Sequence, residues 1–198
     1  MANHRGIAAV ADAITNLLQS QYSAADFDGA SLQFKVYVAR DFAASPMPAG
    51  VSVFLYRIYP NSSHRTPPGR LNPDGTRQRP MLPLDLHFLL TAWAKDASLQ
   101  HAIAAWMMRV LEDTQVLPSG LLNHRYPGTF SDDETVDLSI TDLTTEELFR
   151  IWEVIVNNAY QISVPYVARN VRIESLQGLS QGAPVQERLL DYQKLLRP

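Results

Sequence analysis

The sequence predicts a single α+β domain in which a mixed or antiparallel sheet of about five strands packs against about three helices. Three observations predict this class. The chain has 198 residues, its apolar residues recur with a period of two in some segments and of three to four in others, and these segments follow one another irregularly. Such a length suits one domain with a substantial core. The irregular order favours a mixed or antiparallel sheet over a repeated βαβ unit.

The first two elements are a helix and a strand. Apolar residues recur at intervals of three and four over residues 7–21, which places one apolar stripe along a helix. Leu32, Phe34, Val36 and Val38 then occupy every second position, which predicts a strand. A further strand over residues 51–59 is apolar on both faces and therefore reads as an inner strand.

A long irregular segment separates this strand from the next one. Residues 60–81 carry five prolines and the turn sequence Asn72-Pro73-Asp74-Gly75, which predict a long loop. The segment Pro83–Trp93 then resumes a period of two. It predicts a strand buried at least on the face that carries its alternating leucines and Phe88.

The second half alternates helices and strands. Ser98 is the predicted N-cap of a helix, and residues 116–131 read as irregular. A short strand over residues 136–141 precedes a capping box at Thr144 and Glu147, which starts another helix. The last strand covers residues 162–174, and Pro165 predicts that its start lies at an edge or bulge. We therefore expect a domain over residues 1–175 and a linker with an interaction tail over 176–198.

Composition excludes several classes of protein. A formal net charge of −3 argues against a general nucleic-acid-binding surface, and the absence of cysteine excludes disulfides, cysteine metal sites and a thiol nucleophile. Asp12, Thr15 and Asn16 interrupt the apolar run of the N-terminal segment, so it reads as an amphipathic helix and not as a signal peptide. No stretch approaches the roughly 18 apolar residues of a membrane span, so we expect no direct membrane insertion.

Two patterns resemble catalytic motifs, and both are weak. Ser180 stands in the sequence Gly-Leu-Ser-Gln-Gly, but a nucleophile elbow needs a later histidine, and the last histidine is His124. Asp85 and His87 share a strand face without a third partner, so a structural or interface role is the better interpretation. The other histidines lack metal-ligand spacing and no phosphate-binding glycine loop is present, so we expect no metal and no cofactor.

Two segments of opposite charge stand out. From Arg57 to Pro80 the chain has five arginines and one acid, whereas residues 132–147 have seven acids and no lysine or arginine. In a head-to-tail ring such segments would pair between neighbours, and the candidate inter-subunit residues are Arg65, Arg70, Arg77, Arg79, Asp132, Asp133 and Glu134. Two solvated faces are an equally good interpretation.

The tail is a second candidate for interaction. Its apolar residues follow a polar linker and are Leu189, Leu190, Tyr192, Leu195 and Leu196. The tail could fold back on its own domain or dock on a partner.

Short motifs in three parts of the chain follow one another in a recognisable order. They are Val53–Ile58 with Asn61 and Arg65 after it, Pro83–Trp93, and the segment LFRIWEVIV with Tyr160–Tyr166 after it. Their order and spacing resemble those of the cap proteins of extracellular contractile injection systems. These phage-tail-like particles include the antifeeding prophage and the Photorhabdus virulence cassettes. The resemblance spans roughly residues 5–175.

This resemblance implies a tail-terminator fold and a structural role. It implies a homohexameric ring that contacts the inner-tube and sheath proteins at the end distal to the baseplate and stops their polymerisation, without catalysis. It also implies assembly in the bacterial cytoplasm and a place in a particle that is released on lysis or reaches membranes through its partners. The alternatives are an adaptor or regulatory binding domain and, more distantly, a serine hydrolase at Ser180.

Overall fold

Helices cover both faces of one mixed sheet in the computed structural model of this chain. The structure describes residues 2–44, 46–64, 70–71, 77–156, 160–175 and 177. Its helices are α1 (Gly6–Gln21), α2 (Ala39–Ala44), α3 (Ala97–Asp113), α4 (Ser119–Leu122) and α5 (Thr145–Ile155). Its strands are β1 (Gln33–Tyr37), β2 (Gly50–Pro60), β3 (Arg70–Leu71), β4 (Arg77–Gln78), β5 (Leu82–Trp93), β6 (Val116–Pro118), β7 (Thr135–Ile140) and β8 (Ser163–Ile173).

The predicted α+β class with a mixed sheet is confirmed. The main sheet has six strands, in place of about five, in the order β1-β2-β5-β8-β7-β6. β1 and β2 run parallel, and the other neighbours in this sheet run antiparallel. Within the described residues, two short helices, α2 and α4, join the three that the periodicity predicted.

β5 is the scaffold of the sheet. It pairs with β2 on one side and with β8 on the other over almost its whole length. The predicted buried face is confirmed, because Leu84, Leu86, Phe88 and Leu90 are all buried in the larger of two cores. β5 also contributes Leu89 and Trp93 to the smaller core on the opposite face, so it is buried on both faces and held by two ladders.

The two faces of the sheet carry cores of unequal size. The larger core joins the sheet to α1, α3 and α4, and its fully buried members include Ile14, Leu18, Met107 and Leu122. The smaller core lies under α2 and α5 on the opposite face. Phe42 of α2 is its centre, since the Phe42 ring lies 5.4 Å from the rings of both Phe54 and Trp152.

Capping residues determine where α3 and α5 begin. The predicted N-cap at Ser98 is wrong. α3 begins earlier, because the Asp96 carboxylate accepts a hydrogen bond from the backbone N–H of Leu99 at 2.9 Å. The capping box of α5 is confirmed, with the side chains of Thr144 and Glu147 each bonded to the other's backbone N–H.

The two segments that read as irregular contain more structure than the sequence predicts. Residues 60–81 carry a small hairpin, in which β3 pairs antiparallel with β4. Residues 116–131 begin with β6 and α4. The predicted edge at Pro165 applies only to the start of β8, which pairs with β5 alone until the ladder with β7 begins at Tyr166.

One glycine makes the parallel pair possible. Gly50 opens β2 opposite Gln33 of β1 and has a φ of +140°, which side-chain-bearing residues rarely adopt. A Cβ at this position would lie 1.9 Å from the Gln33 carbonyl oxygen. The close approach of the two backbones at this point therefore requires glycine.

Candidate assembly surfaces

Asp85 is a structural residue at a distortion of the central strands. Its carboxylate accepts hydrogen bonds from the Asn61 side-chain amide at 3.0 and 3.1 Å and from the backbone N–H of Asn170 at 2.9 Å. Asn170 adopts a left-handed φ of 60°, and the β5–β8 register shifts between Leu84 and Leu86. The carboxylate therefore fixes an irregular backbone, which gives Asp85 the structural role that the sequence favoured.

His87, the second member of the polar pair, lies in an aromatic setting. Its ring centroid is 6.0 Å from that of Tyr56 and 5.6 Å from that of Tyr59. Burial lowers the pKa of His87 below 6.5, and the charges of Arg57 and Arg169 lower it further against the opposing effect of Asp85. The imidazole is therefore neutral at pH 7.

Exposed arginines gather at the end of the sheet where the β3–β4 hairpin leaves it. Arg57 of β2, Arg79 before β5, and Arg169 and Arg172 of β8 are all exposed, and the three strands are neighbours. The Arg57 guanidinium lies 3.9 Å above the centre of the Tyr59 ring, which holds this charge against the sheet. We call these four residues the basic end.

Three of the four arginines predicted to lie between subunits belong to this basic end or to the strands next to it. Arg79 belongs to it, and Arg70 and Arg77 lie on the adjoining hairpin strands β3 and β4. Arg65 lies outside the described residues.

The predicted acidic residues lie at the same end of the sheet, displaced sideways. Asp132 and Asp133 are exposed in the loop before β7, and Glu134 accepts a hydrogen bond from the backbone N–H of Ser131 at 2.9 Å. β7 is antiparallel to β8, with Asp137 opposite Arg169, so this acidic loop lies beyond the C-terminal end of β8. Two strand spacings, or about 10 Å, separate β7 from β5.

Glu146 and Glu147, two later acids of the same segment, interact with residues of α5 and its N-cap, and the charge of Arg57 also acts on Glu147. Glu146 forms an ion pair with Arg150 at 2.6 Å, one turn along the helix. Hydrogen bonds from Thr144 lower the pKa of Glu147, and the charge of Arg57 contributes to the same shift. The charge of Arg57 therefore acts on Glu147 within the same chain, whereas Asp132 and Asp133 of the loop before β7 are exposed.

Three comparisons relate this architecture to known proteins. The sequence model of the Pvc16 N-terminal domain matches residues 9–187. The chain belongs to this family. No curated protein matches the sequence significantly.

Two solved structures share the fold of this family member. A PVC sheath/tube terminator, determined in the extended state of an extracellular contractile injection system, superposes with a TM-score of 0.61 at 15% identity over 93% of this chain. The anti-feeding prophage cap, described as a tube-terminating cap, gives a TM-score of 0.61 at 16% identity over 91% of this chain. The chain spans 64% and 59% of the lengths of these two proteins.

Several sequence predictions lie outside the described residues. These are Ser180 and the tail residues Leu189, Leu190, Tyr192, Leu195 and Leu196. The expected boundary between residues 175 and 176 is also untested, because residue 176 lies outside the described residues. Within the described ranges, no group of three or more histidine, aspartate or glutamate residues has the geometry of a metal site. No helix in that part of the chain is long and apolar enough to cross a bilayer.

Sequence reasoning missed the partners of Asp85. Asn61 and Asn170 are 24 and 85 residues away from it in the chain, so no local spacing links the three. The one available signal was Asn170 itself, because asparagine inside a strand pattern is unfavourable and is among the few residues that tolerate a left-handed φ.

Proposed function

We propose that this protein is a structural cap that ends the inner tube and contractile sheath of a phage-tail-like injection particle at the end distal to the baseplate. The observation that carries this proposal is the terminator fold, which extends over more than nine-tenths of the chain in both solved structures. Membership of the Pvc16 N-terminal domain family supports it. The role is structural, and the protein is not an enzyme.

Particles assembled without this protein test the proposal directly. In negative-stain images we expect tubes and sheaths of uncontrolled length, and re-expression of the intact chain restores a uniform length. Particles of normal length in its absence contradict the proposed function. An esterase assay on the intact protein and on Ser180→Ala tests the hydrolase alternative, for which activity that disappears in the variant would be required.

The cap acts as a homohexameric ring whose subunits meet through the basic end and the acidic loop before β7. Arg79 and Asp133 are both exposed and belong to separate parts of the surface with opposite charge, and a head-to-tail contact joins two such different patches. Opposite charges at such a contact select the register of neighbouring subunits. Because exposed charges are screened by salt, self-association weakens as ionic strength rises.

Charge reversal tests this ring contact. Arg79→Glu and Asp133→Arg each lower self-association measured by light scattering, and the double variant Arg79→Glu/Asp133→Arg recovers it. Arg40→Glu is the matched control, since Arg40 is an 86% exposed arginine on α2. A double variant that associates no better than the single variants contradicts this pairing.

The tail provides the contact with the last sheath or tube ring. Residues 1–175 form the cap domain, and residues 176–198 form a linker followed by the apolar positions Leu189, Leu190, Tyr192, Leu195 and Leu196. Truncation after Ser175 abolishes capping and leaves the domain folded. Capping by the truncated chain contradicts the role of the tail. The cap is assembled in the bacterial cytoplasm, becomes part of the released particle and reaches any membrane only through its partners.

A further inference from the structure

The flank of α3 and the end of β7 enclose an open, mainly apolar groove. It has a volume of about 500 Å³, and its lining residues are Ala105, Met108, Arg109, Glu112 and Ile140. The four α3 positions are spaced by three, one and three residues, so they share one side of the helix. Ile140 is 42% exposed, although Val136 and Leu138 on the same face of β7 are buried. The groove therefore continues the larger core outward to the surface.

We propose that residues 184–196 of the same chain fold as an amphipathic helix and occupy this groove in the isolated subunit. The sequence has the required pattern, since apolar residues stand four, three and four positions apart. They are Val185, Leu189, Tyr192 and Leu196. Pro184 suits the first helical position, and Glu187 places a negative charge in the first turn, where the helix dipole favours it.

A helix of this length requires a docking surface. Thirteen residues form a helix about 20 Å long, which is marginal in water unless its apolar stripe is buried. Helices commonly bind in apolar grooves through side chains at such spacings. The lining positions of α3 run from Ala105 to Glu112, about two helical turns, so the groove would cover about two turns of the docked helix.

The linker is long enough for the segment to reach the groove of its own subunit. β8 ends at Ile173, seven residues beyond Tyr166, which pairs with Ile140. At about 3.3 Å per residue, the end of β8 is therefore about 23 Å from the groove along the sheet. The eleven residues from Ile173 to Pro184, where the helix begins, span up to about 36 Å when extended, so the connection needs no neighbouring subunit.

Other exposed apolar residues fit this segment less well. Val36 lies in β1 and Val38 follows it, and an edge strand such as β1 suits an extended segment and not a helix. Phe149 on α5 stacks edge-on against Tyr160 at 5.4 Å, so part of its surface is already covered. The three- and four-residue spacing of the apolar residues in the tail predicts a helix, and of these surfaces the groove beside α3 suits a helix best.

This docking goes beyond the cap function and does not depend on it. The helix would cover Leu189, Tyr192 and Leu196, three of the residues proposed to contact the sheath or tube. Docking on the own subunit and contact with a partner therefore exclude each other. The isolated subunit would keep its tail shielded until assembly provides a competing surface.

Disulfide trapping tests the docked state, because the chain has no cysteine of its own. In the full-length double variant Met108→Cys/Leu189→Cys, mild oxidation of a dilute sample should form an intrachain disulfide, identified by peptide mass. Val36→Cys/Leu189→Cys is the matched control, with an exposed apolar position on another surface of the domain. We expect at least about tenfold faster closure at position 108, because docking raises the local concentration at one site only.

Equal closure rates at positions 108 and 36 overturn the proposal. Disulfides that form only between chains also overturn it, since they would show a second copy as the occupant. A single-cysteine variant, Ile140→Cys, gives an independent measurement in case a double variant folds poorly. A thiol reagent should label this cysteine several-fold more slowly in the full chain than after truncation following Gln177, and equal labelling rates overturn the proposal.

Discussion

Replacing Asp85 by alanine should destabilise the domain. The carboxylate accepts three hydrogen bonds from two donor groups, the side-chain amide of Asn61 and the backbone N–H of Asn170. A hydrogen bond to a charged group contributes about 1.5–3 kcal/mol. Without the carboxylate, two donor groups lose their acceptor, and the expected loss in the free energy of unfolding is about 3 kcal/mol. In a domain of this size each kcal/mol lowers the melting temperature by roughly 2–4 °C, which gives about 6–12 °C in total.

Thermal unfolding followed by circular dichroism measures this effect. Asp85→Asn keeps one oxygen acceptor and should lose about half as much stability. Asp137→Ala is the control, since Asp137 is exposed on β7 and its removal should change the free energy of unfolding by less than about 0.5 kcal/mol. A melting temperature of Asp85→Ala equal to that of the intact protein would refute the structural role and reopen the case for Asp85 and His87 as a functional pair.

Three further predictions concern stability, each measured by thermal unfolding. Gly50→Ala should lower the free energy of unfolding by several kcal/mol or prevent folding, because the new Cβ would lie 1.9 Å from a backbone carbonyl oxygen. Gly120→Ala is the control, since a Cβ there has open space and should leave stability unchanged. Equal effects of the two substitutions would contradict this prediction. Trp152→Ala should cost about 3–5 kcal/mol and Val154→Ala, 87% exposed, almost nothing; a neutral Trp152→Ala would contradict the second core. The lowered pKa of His87 means that the unfolded chain binds its proton more readily, so stability falls as pH drops below 6.5. His87→Gln should lessen that fall, and an unchanged pH profile would contradict it.

The periodic segments could be predicted from the sequence because burial acts on them directly. The alternation in Pro83–Trp93 identified the strand that became β5, and the spacing of Thr144 and Glu147 identified the start of α5. The start of α3 could not be fixed in the same way, since both Asp96 and Ser98 are good N-cap residues. Backbone geometry decides between them, and it places the Asp96 carboxylate on the N–H of Leu99, three residues on.

Short elements and long-range pairings were beyond the reach of the sequence pattern. α2 has six residues, too few to show a helical period, yet its Phe42 is the centre of the second core. The sequence identified the two charged segments but not their partners. Only the fold shows that the Glu147 carboxylate is hydrogen-bonded to Thr144, while Asp133 is exposed in its loop.

The position of β8 in the sheet determines when the subunit can fold. β8 lies between β5 and β7, so a nascent chain that ends before it holds two sheet fragments with no strand to pair them. Ala2 also pairs with Ile173, which ties the first described residue to the end of the last strand. Contacts between residues so distant in sequence form late and slowly. The six-stranded sheet can therefore be completed only after β8 has been synthesised.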